Sequence, residues 1–412
     1  MTVAAHSERR LKAAFIFVFA TVLLDMLALG VIIPVLPSLV LQFVEGNNTT
    51  AAEIYGLFST VWALMQFLFS PLQGALSDRF GRRPLILASN FGLFLDYVLM
   101  AMAPTLGWLF LGRVLSGITA ASISTANAYI ADVTPPEKRA GAFGMMGVAF
   151  SVGFILGPAL GGVLAGYDLR LPFWVAAGLS LLNGIYGLFV LPESLPRENR
   201  SSWRWSRTNP IGSLNFLRSH SHLLGFAVVS LLSAFAHAAL PTTMVLYIGY
   251  RYGWDERMVG LTMAVVGVST LIVQGGLIRP FVARFGERAA LYTGFTFGAI
   301  GFTTIGLAPT GYWLWAGIVA LSFWGLAGAA VMAIMTKHVA PNEQGQLQGA
   351  NASLMGIASM LGPVIFTLSY ARAIDPKYGF DWPGVPFLLA AGFLIAAMAV
   401  GWRTLRRDQA GG

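Results

Sequence analysis

Apolar runs of about 20 residues, the length an α-helix needs to cross the hydrocarbon core, recur along the chain between short polar turns. Twelve such spans fall near 13–37, 53–75, 84–103, 108–131, 140–165, 172–191, 222–248, 258–278, 289–308, 311–336, 345–370 and 385–403. The longest polar interruption, 192–221, carries five arginines with Trp203 and Trp205 and divides the spans six and six. The pattern predicts an all-α polytopic membrane protein: an N-terminal six-helix bundle (1–191), a linker on the cytoplasmic membrane surface (192–221) and a C-terminal six-helix bundle (222–412). The first run follows Arg9, Arg10 and Lys12, is longer than a signal-peptide core and shows no small-residue cleavage site, so it is read as a retained helix.

Composition agrees with the pattern. Of 412 residues 56% are hydrophobic and 11% charged, against roughly 25% charged in an ordinary soluble domain. A net charge of +8 in a soluble chain would point to nucleic acid, but here the basic residues occupy loops, where they set topology. Of the 26 lysines and arginines, Arg113 lies inside a span, Arg170, Arg251, Arg257, Arg372 and Lys377 fall on one side, and the other twenty fall on the opposite side. The positive-inside rule makes that richer side cytoplasmic, with both termini on it. The absence of cysteine rules out disulfides, thiolate metal sites and a cysteine nucleophile.

The halves echo each other. Arg79-Phe80-Gly81 recurs as Arg284-Phe285-Gly286, Pro135-Pro136-Glu137 as Pro341-Asn342-Glu343, and Gly157-Pro158 as Gly362-Pro363. The near-constant offset, in the same order each time, argues for a duplicated six-helix unit, and a repeat interface at mid-membrane is where a substrate would bind.

Three charged side chains lie well inside spans: Asp25, Asp96 and Arg113. Each costs about 2.5–3.5 kcal/mol there on insertion scales, so each requires a partner or water. Asp25 is read as a proton carrier and Arg113 as the fixed cation that biases it. The bland alternative is a permanent structural ion pair, and Asp96 in the third span fits function and packing equally. Gly74, Asp78, Arg79, Gly81, Arg82, Arg83 and Pro84 form a charged turn between the second and third spans, first an anchor of topology and, with Asp132 nearby, a latch. In the fifth span Gly144, Gly153, Gly157, Pro158, Gly161 and Gly162 make a packing seam or hinge. The remaining polar residues of the spans include Asn90, Asn183 and Asn351, expected in helix-to-helix hydrogen bonds, and Gln66, Asn127, His237 and Gln274, assigned to the substrate cavity.

These motifs resemble the major facilitator superfamily. Gly74 to Pro84 resembles its loop between helices 2 and 3. The glycine pattern of the fifth span, Asp25 through Pro37 and Arg113 resemble the drug/proton antiporter branch. Asp25-Met26-Leu27, Gly30 to Pro37, Leu95-Asp96-Tyr97, Leu111 to Thr119 and Glu343 to Gly349 are similar to tetracycline efflux pumps. The resemblance covers nearly the whole chain and implies two pseudo-symmetric bundles working by alternating access. Asp25, Arg113 and Asp96 would couple protons, and Asp78, Arg82 and Asp132 would form an inner gate. One departure stands out: several tetracycline pumps carry a further acid in helix 9, where Phe295-Thr296-Phe297-Gly298 has none.

The expected activity is export of an amphipathic small molecule by proton antiport. The alternative is a proton-coupled symporter or facilitator for a metabolite, separable by whether a proton gradient expels or accumulates the substrate. An intramembrane enzyme would need a nucleophile and base or a metal set, and five histidines without cysteine or a His-Glu-x-x-His motif offer little. A non-transporting scaffold would tolerate loss of Asp25 and Arg113. No cofactor and no metal site is expected. The expected partners are the substrate, protons and the lipid bilayer, without nucleic acid, and the protein is expected to be a monomer in the cell inner membrane.

Overall fold

A computed structural model describes residues 18–119, 122–135, 139–200, 217, 220, 223–340, 343–379 and 381–411. Twelve helical spans account for them. They are α1 (Val18–Phe43), α2 (Asn48–Phe80), α3 (Arg82–Met102), α4 (Leu106–Thr119 and Ser122–Val133), α5 (Arg139–Ala165), α6 (Leu171–Val190), α7 (Leu224–Tyr252), α8 (Glu256–Ile272), α9 (Ile278–Leu307), α10 (Gly311–Ser322 and Gly325–Lys337), α11 (Gln344–Ile374) and α12 (Val385–Gly411). Most of the sequence-drawn linker lies outside the described residues.

Local chemistry sets the breaks. Pro34 has no N–H, and α1 tightens there, with Ile33 N donating to Gly30 O and Val35 N to Ile32 O. Gly81 ends α2 at φ 107°, a conformation a side chain strains to adopt. The α8 helix runs through a π-turn at Val273–Leu277 straight into α9, and the bend between the eighth and ninth spans falls at Gly286, with φ 80° and ψ 168°. Pro158 stays inside a continuous α5.

The chain divides into two compact units. One holds Met1–Leu39 with Val61–Asn209. Its α3 packs on α6 and α4, and Val18, Val22 and Met26 of α1 meet Ile86, Tyr129, Ile130, Met146 and Ala149 from α3, α4 and α5 in a buried cluster. The other holds Val40–Thr60 with Pro210–Gly412. There α7 packs on α11 and α12, and α9 on α10 and α12. Fully buried Phe295, Phe302, Phe366 and Phe387 fill its centre. Its buried tyrosines are satisfied by backbone: Tyr247 donates to Ile305 O at 2.8 Å and Tyr370 to Leu246 O at 3.0 Å. The N-terminal part of α2 belongs to this unit through Tyr55, which donates to Pro241 O at 3.1 Å, and through Gly56, where a side chain would collide with Thr367.

Large apolar side chains such as Leu95, Leu182 and Phe189 point outward. On a water-soluble domain so many would mark an interface; on spans of this length they face lipid.

Candidate functional site

The first unit carries its charges inside. Asp25 is 5% exposed, Asp96 0% and Arg113 8%. Tyr97, itself buried, lies within electrostatic range of all three, so α1, α3 and α4 bring them to one neighbourhood. Arg113 donates from an Nη to Ser116 Oγ at 2.9 Å and stands 6.0 Å from the centre of the Trp62 ring. Asp96 has Arg113 and Ser116 as electrostatic neighbours, yet neither of its oxygens meets a donor at bonding geometry among the described residues. Gly112 makes the room: a Cβ there would stand 3.0 Å from Asp96 Oδ1. Leu95, by contrast, is 62% exposed. Helix α3 thus has one face to lipid and one to the charged interior, and Asp96 belongs to the interior.

Asp25 is met by an amide. Asn183 of α6 donates from Nδ2 to Asp25 Oδ1 at 3.2 Å and to Asn90 Oδ1 at 3.3 Å, while its Oδ1 accepts from Thr21 Oγ1 at 3.1 Å. Sequence reading placed Asn183 only among generic helix contacts. Its position in α6 gives its depth but not the direction it faces.

The turn between α2 and α3 is a second polar centre. Arg82 donates to Asp78 at 2.5 Å, to Ser77 at 2.9 Å and, through Nε, to Asp132 of α4 at 3.0 Å. Glu193, just after α6, accepts from the Arg82 backbone N–H at 2.8 Å, and Ser194 donates to Asp132 at 3.0 Å. Arg83 donates to Leu188 O at 2.8 Å, and the Arg79 guanidinium stands 5.2 Å from the centre of the Phe80 ring. A side chain at Gly81 would strike the Glu193 carboxylate. Glu193 and Ser194 went unnoticed in the sequence because they follow the sixth span, far from the motif they complete. At Gly74 a Cβ would meet nothing within 4 Å, so no close backbone approach requires a glycine there.

The echo in the second unit is geometric. Gly81 and Gly286 share the same unusual backbone, at ψ 162° and 168°, and Arg284 stands 5.5 Å from the centre of the Phe285 ring as Arg79 does over Phe80. The offset of 205 that links Arg79 to Arg284 also carries Arg82 to Glu287 and Asp132 to Lys337. Glu287 and Lys337 form a salt bridge of 2.7 Å. The pair is kept with its charges exchanged.

The glycines of α5 pack against α1. A Cβ at Gly153 would come 2.5 Å from Met26 Cβ, and one at Gly157 2.7 Å from Gly30 Cα. Gly161 would strike Val31 O. Gly162 is buried beside it, and Gly144 lies nearer the start of the same helix.

In the first unit Gln66 is half-buried and Asn127 exposed. In the second, His237 of α7 lies 5.9 Å from the Trp324 ring, centre to centre, and a Cβ on the adjacent Gly325 would come 3.2 Å from Gln274 Cγ. Two irregularities therefore meet here, the π-turn of α8 and the break in α10, and they bring His237 and Gln274 to neighbouring residues of that break.

The major facilitator superfamily model matches residues 18–363. The chain belongs to the major facilitator superfamily. This facilitator is 36% identical over 369 residues to the class C tetracycline resistance protein of Escherichia coli, covering 90% of this chain and 92% of that one. It is 26% identical over 405 residues to Multidrug resistance protein 2 of Bacillus subtilis, covering 97% of each. Among solved structures it is similar to the nucleoside transporter NupG, with a TM-score of 0.78 at 13% identity over 95% of this chain and 99% of that one, a likeness of fold alone. The facilitator is thus a multi-pass membrane transporter, not an enzyme.

Proposed function

We propose that this facilitator exports an amphipathic small molecule of the tetracycline kind in exchange for protons, by alternating access, with the basic loops and both termini on the cytoplasmic face of the inner membrane. The observation that carries the reading is the enclosed group of Asp25, Asp96 and Arg113 in the first unit, a charge set expensive enough in a membrane to mark a proton path. The tetracycline resistance proteins among its relatives support the substrate class. Asp25 takes up a proton from outside and releases it to the cytoplasm as substrate leaves. Arg113 stays charged and steadies the buried acids. Within the first unit Gln66 and Asn127, and within the second His237, Gln274 and the Trp324 ring, are polar and aromatic groups of the kind that contacts an amphipathic ligand. The Arg82 cluster is the inner latch.

Proteoliposomes with an imposed pH gradient test this. The wild type drives uphill export of a tetracycline, whereas Asp25→Asn retains only downhill movement. Undiminished uphill export by Asp25→Asn would overturn the assignment.

A further inference from the structure

We infer that Asn183 is the positioning residue of Asp25, an amide clamp between α1, α3 and α6 that holds the carboxyl in place in both of its protonation states; this inference rests on the proton-coupling reading above. Four polar groups from three helices converge where the chain could have placed hydrocarbon. Thr21 and Asp25 come from one face of α1, Asn90 from α3, and Asn183 from α6. Asn90 and Asn183 are each 0% exposed, Thr21 1% and Asp25 5%. A buried amide without partners is costly, so a cluster of this kind persists only if its members satisfy one another. Asn183 does most of this, linking Thr21, Asp25 and Asn90.

An amide suits a residue whose partner gains and loses a proton. It carries donors on one side and an acceptor on the other. An ionised Asp25 needs a donor, which Nδ2 supplies at 3.2 Å. A protonated Asp25 has a hydroxyl that needs an acceptor, and turning the Asn183 amide over presents Oδ1 in the same place. Asn90 fits the exchange, because its own Nδ2 has no hydrogen-bond partner among the described residues and so keeps a donor in reserve beside the cluster. A fixed cation at position 183 would favour only the ionised carboxylate, and a hydrocarbon would favour only the neutral acid.

Buried Tyr97 of α3 lies within electrostatic range of Asp25, of Asp96 from the same helix and of Arg113 from α4, so these groups share one neighbourhood. The buried stretches of α5 and α6 carry no charged residue, and Tyr186 of α6 is exposed. Asn183 is therefore what α6 itself contributes to Asp25.

The test reads the carboxyl directly. A hydrophobic carbodiimide modifies carboxyl groups in their protonated form, so labelling of the Asp25 peptide, followed by mass spectrometry over a pH series in nanodiscs, gives a midpoint. The amide bonds the ionised carboxylate about twice as strongly as the neutral acid, so Asn183→Leu takes more from the ionised form and moves that midpoint toward higher pH by about half a unit to one unit. Asn183→Ala removes the amide without adding a charge, moves it the same way, and carries the test if the leucine variant does not fold. A role in packing alone would leave the midpoint unmoved in folded protein, and that result in both variants would overturn the inference. If instead the wild type showed no proton-driven export, the proposed function would fail while the labelling midpoint still measured the Asn183 contact.

Discussion

The interior of the first unit holds two acids and one base at different stations. Asp25 rests on the Asn183 amide, whereas Asp96 has the Arg113 guanidinium as its counter-charge. Removing that counter-charge leaves a fully buried carboxyl with no cation in range, which disfavours its ionised form in the folded protein. Arg113→Leu is therefore expected to lower the melting temperature of the purified protein, and Asp96→Asn combined with it to recover much of the loss; thermal melts of the two variants check this. An equal loss in both would show that Arg113 supports the fold through Ser116 and Trp62 rather than through Asp96. All three charged positions were legible from the cost of placing them in apolar spans. Their partners were not, because a span gives a residue's depth while the pairing depends on which way each helix is turned.

Helices were legible wherever length and apolarity decide, and the twelve spans drawn from the sequence correspond to α1 through α12. The sequence missed the merging of α8 into α9, because the chain there keeps helical geometry through polar residues until Gly286 turns it. The α5 glycine pattern was open between hinge and seam. The close contacts of Gly153, Gly157 and Gly161 with α1 are those a packing seam makes. Within this one helix the glycines differ: a Cβ at Gly157 would come 2.7 Å from the Gly30 backbone, whereas one at Gly147 would meet nothing within 4 Å. Gly157→Ala must move a backbone and should destabilise by about 1–3 kcal/mol. Gly147→Ala adds helix propensity in open space and should leave stability unchanged or raise it by up to about 1 kcal/mol. Melting curves of the pair in the same lipid measure the difference, and similar losses in both would remove the seam as the reason for the glycines.

Across the whole molecule the duplication reads as a plan applied twice with different chemistry. The glycine at the end of the arginine-phenylalanine-glycine turn keeps its backbone in both halves, but the ion pair beside it reverses, Arg82 to Asp132 in one and Glu287 to Lys337 in the other. The repeat was visible in the sequence as three short matches. The exchanged pair was invisible to it, since matching compares residue types and here the types are opposite. The two pairs also differ in their surroundings. Arg82 is 10% exposed and bonds to Ser77, Asp78 and Asp132, whereas Lys337 is 67% exposed with its contact to Glu287. Exposed pairs contribute about 1 kcal/mol or less, so Lys337→Glu should slow transport by less than about fivefold, and Glu287→Lys with Lys337→Glu should restore it because the swap rebuilds the same single bridge. The corresponding swap in the first half, Arg82→Asp with Asp132→Arg, should not restore transport, since Asp78 would then face another acid and Ser77 would lose its donor. Export rates of the two swapped proteins at matched membrane levels decide the matter: rescue in the first half would reduce the Arg82 cluster to one ion pair, and failure in the second would mean that Glu287 or Lys337 has a role outside their bridge.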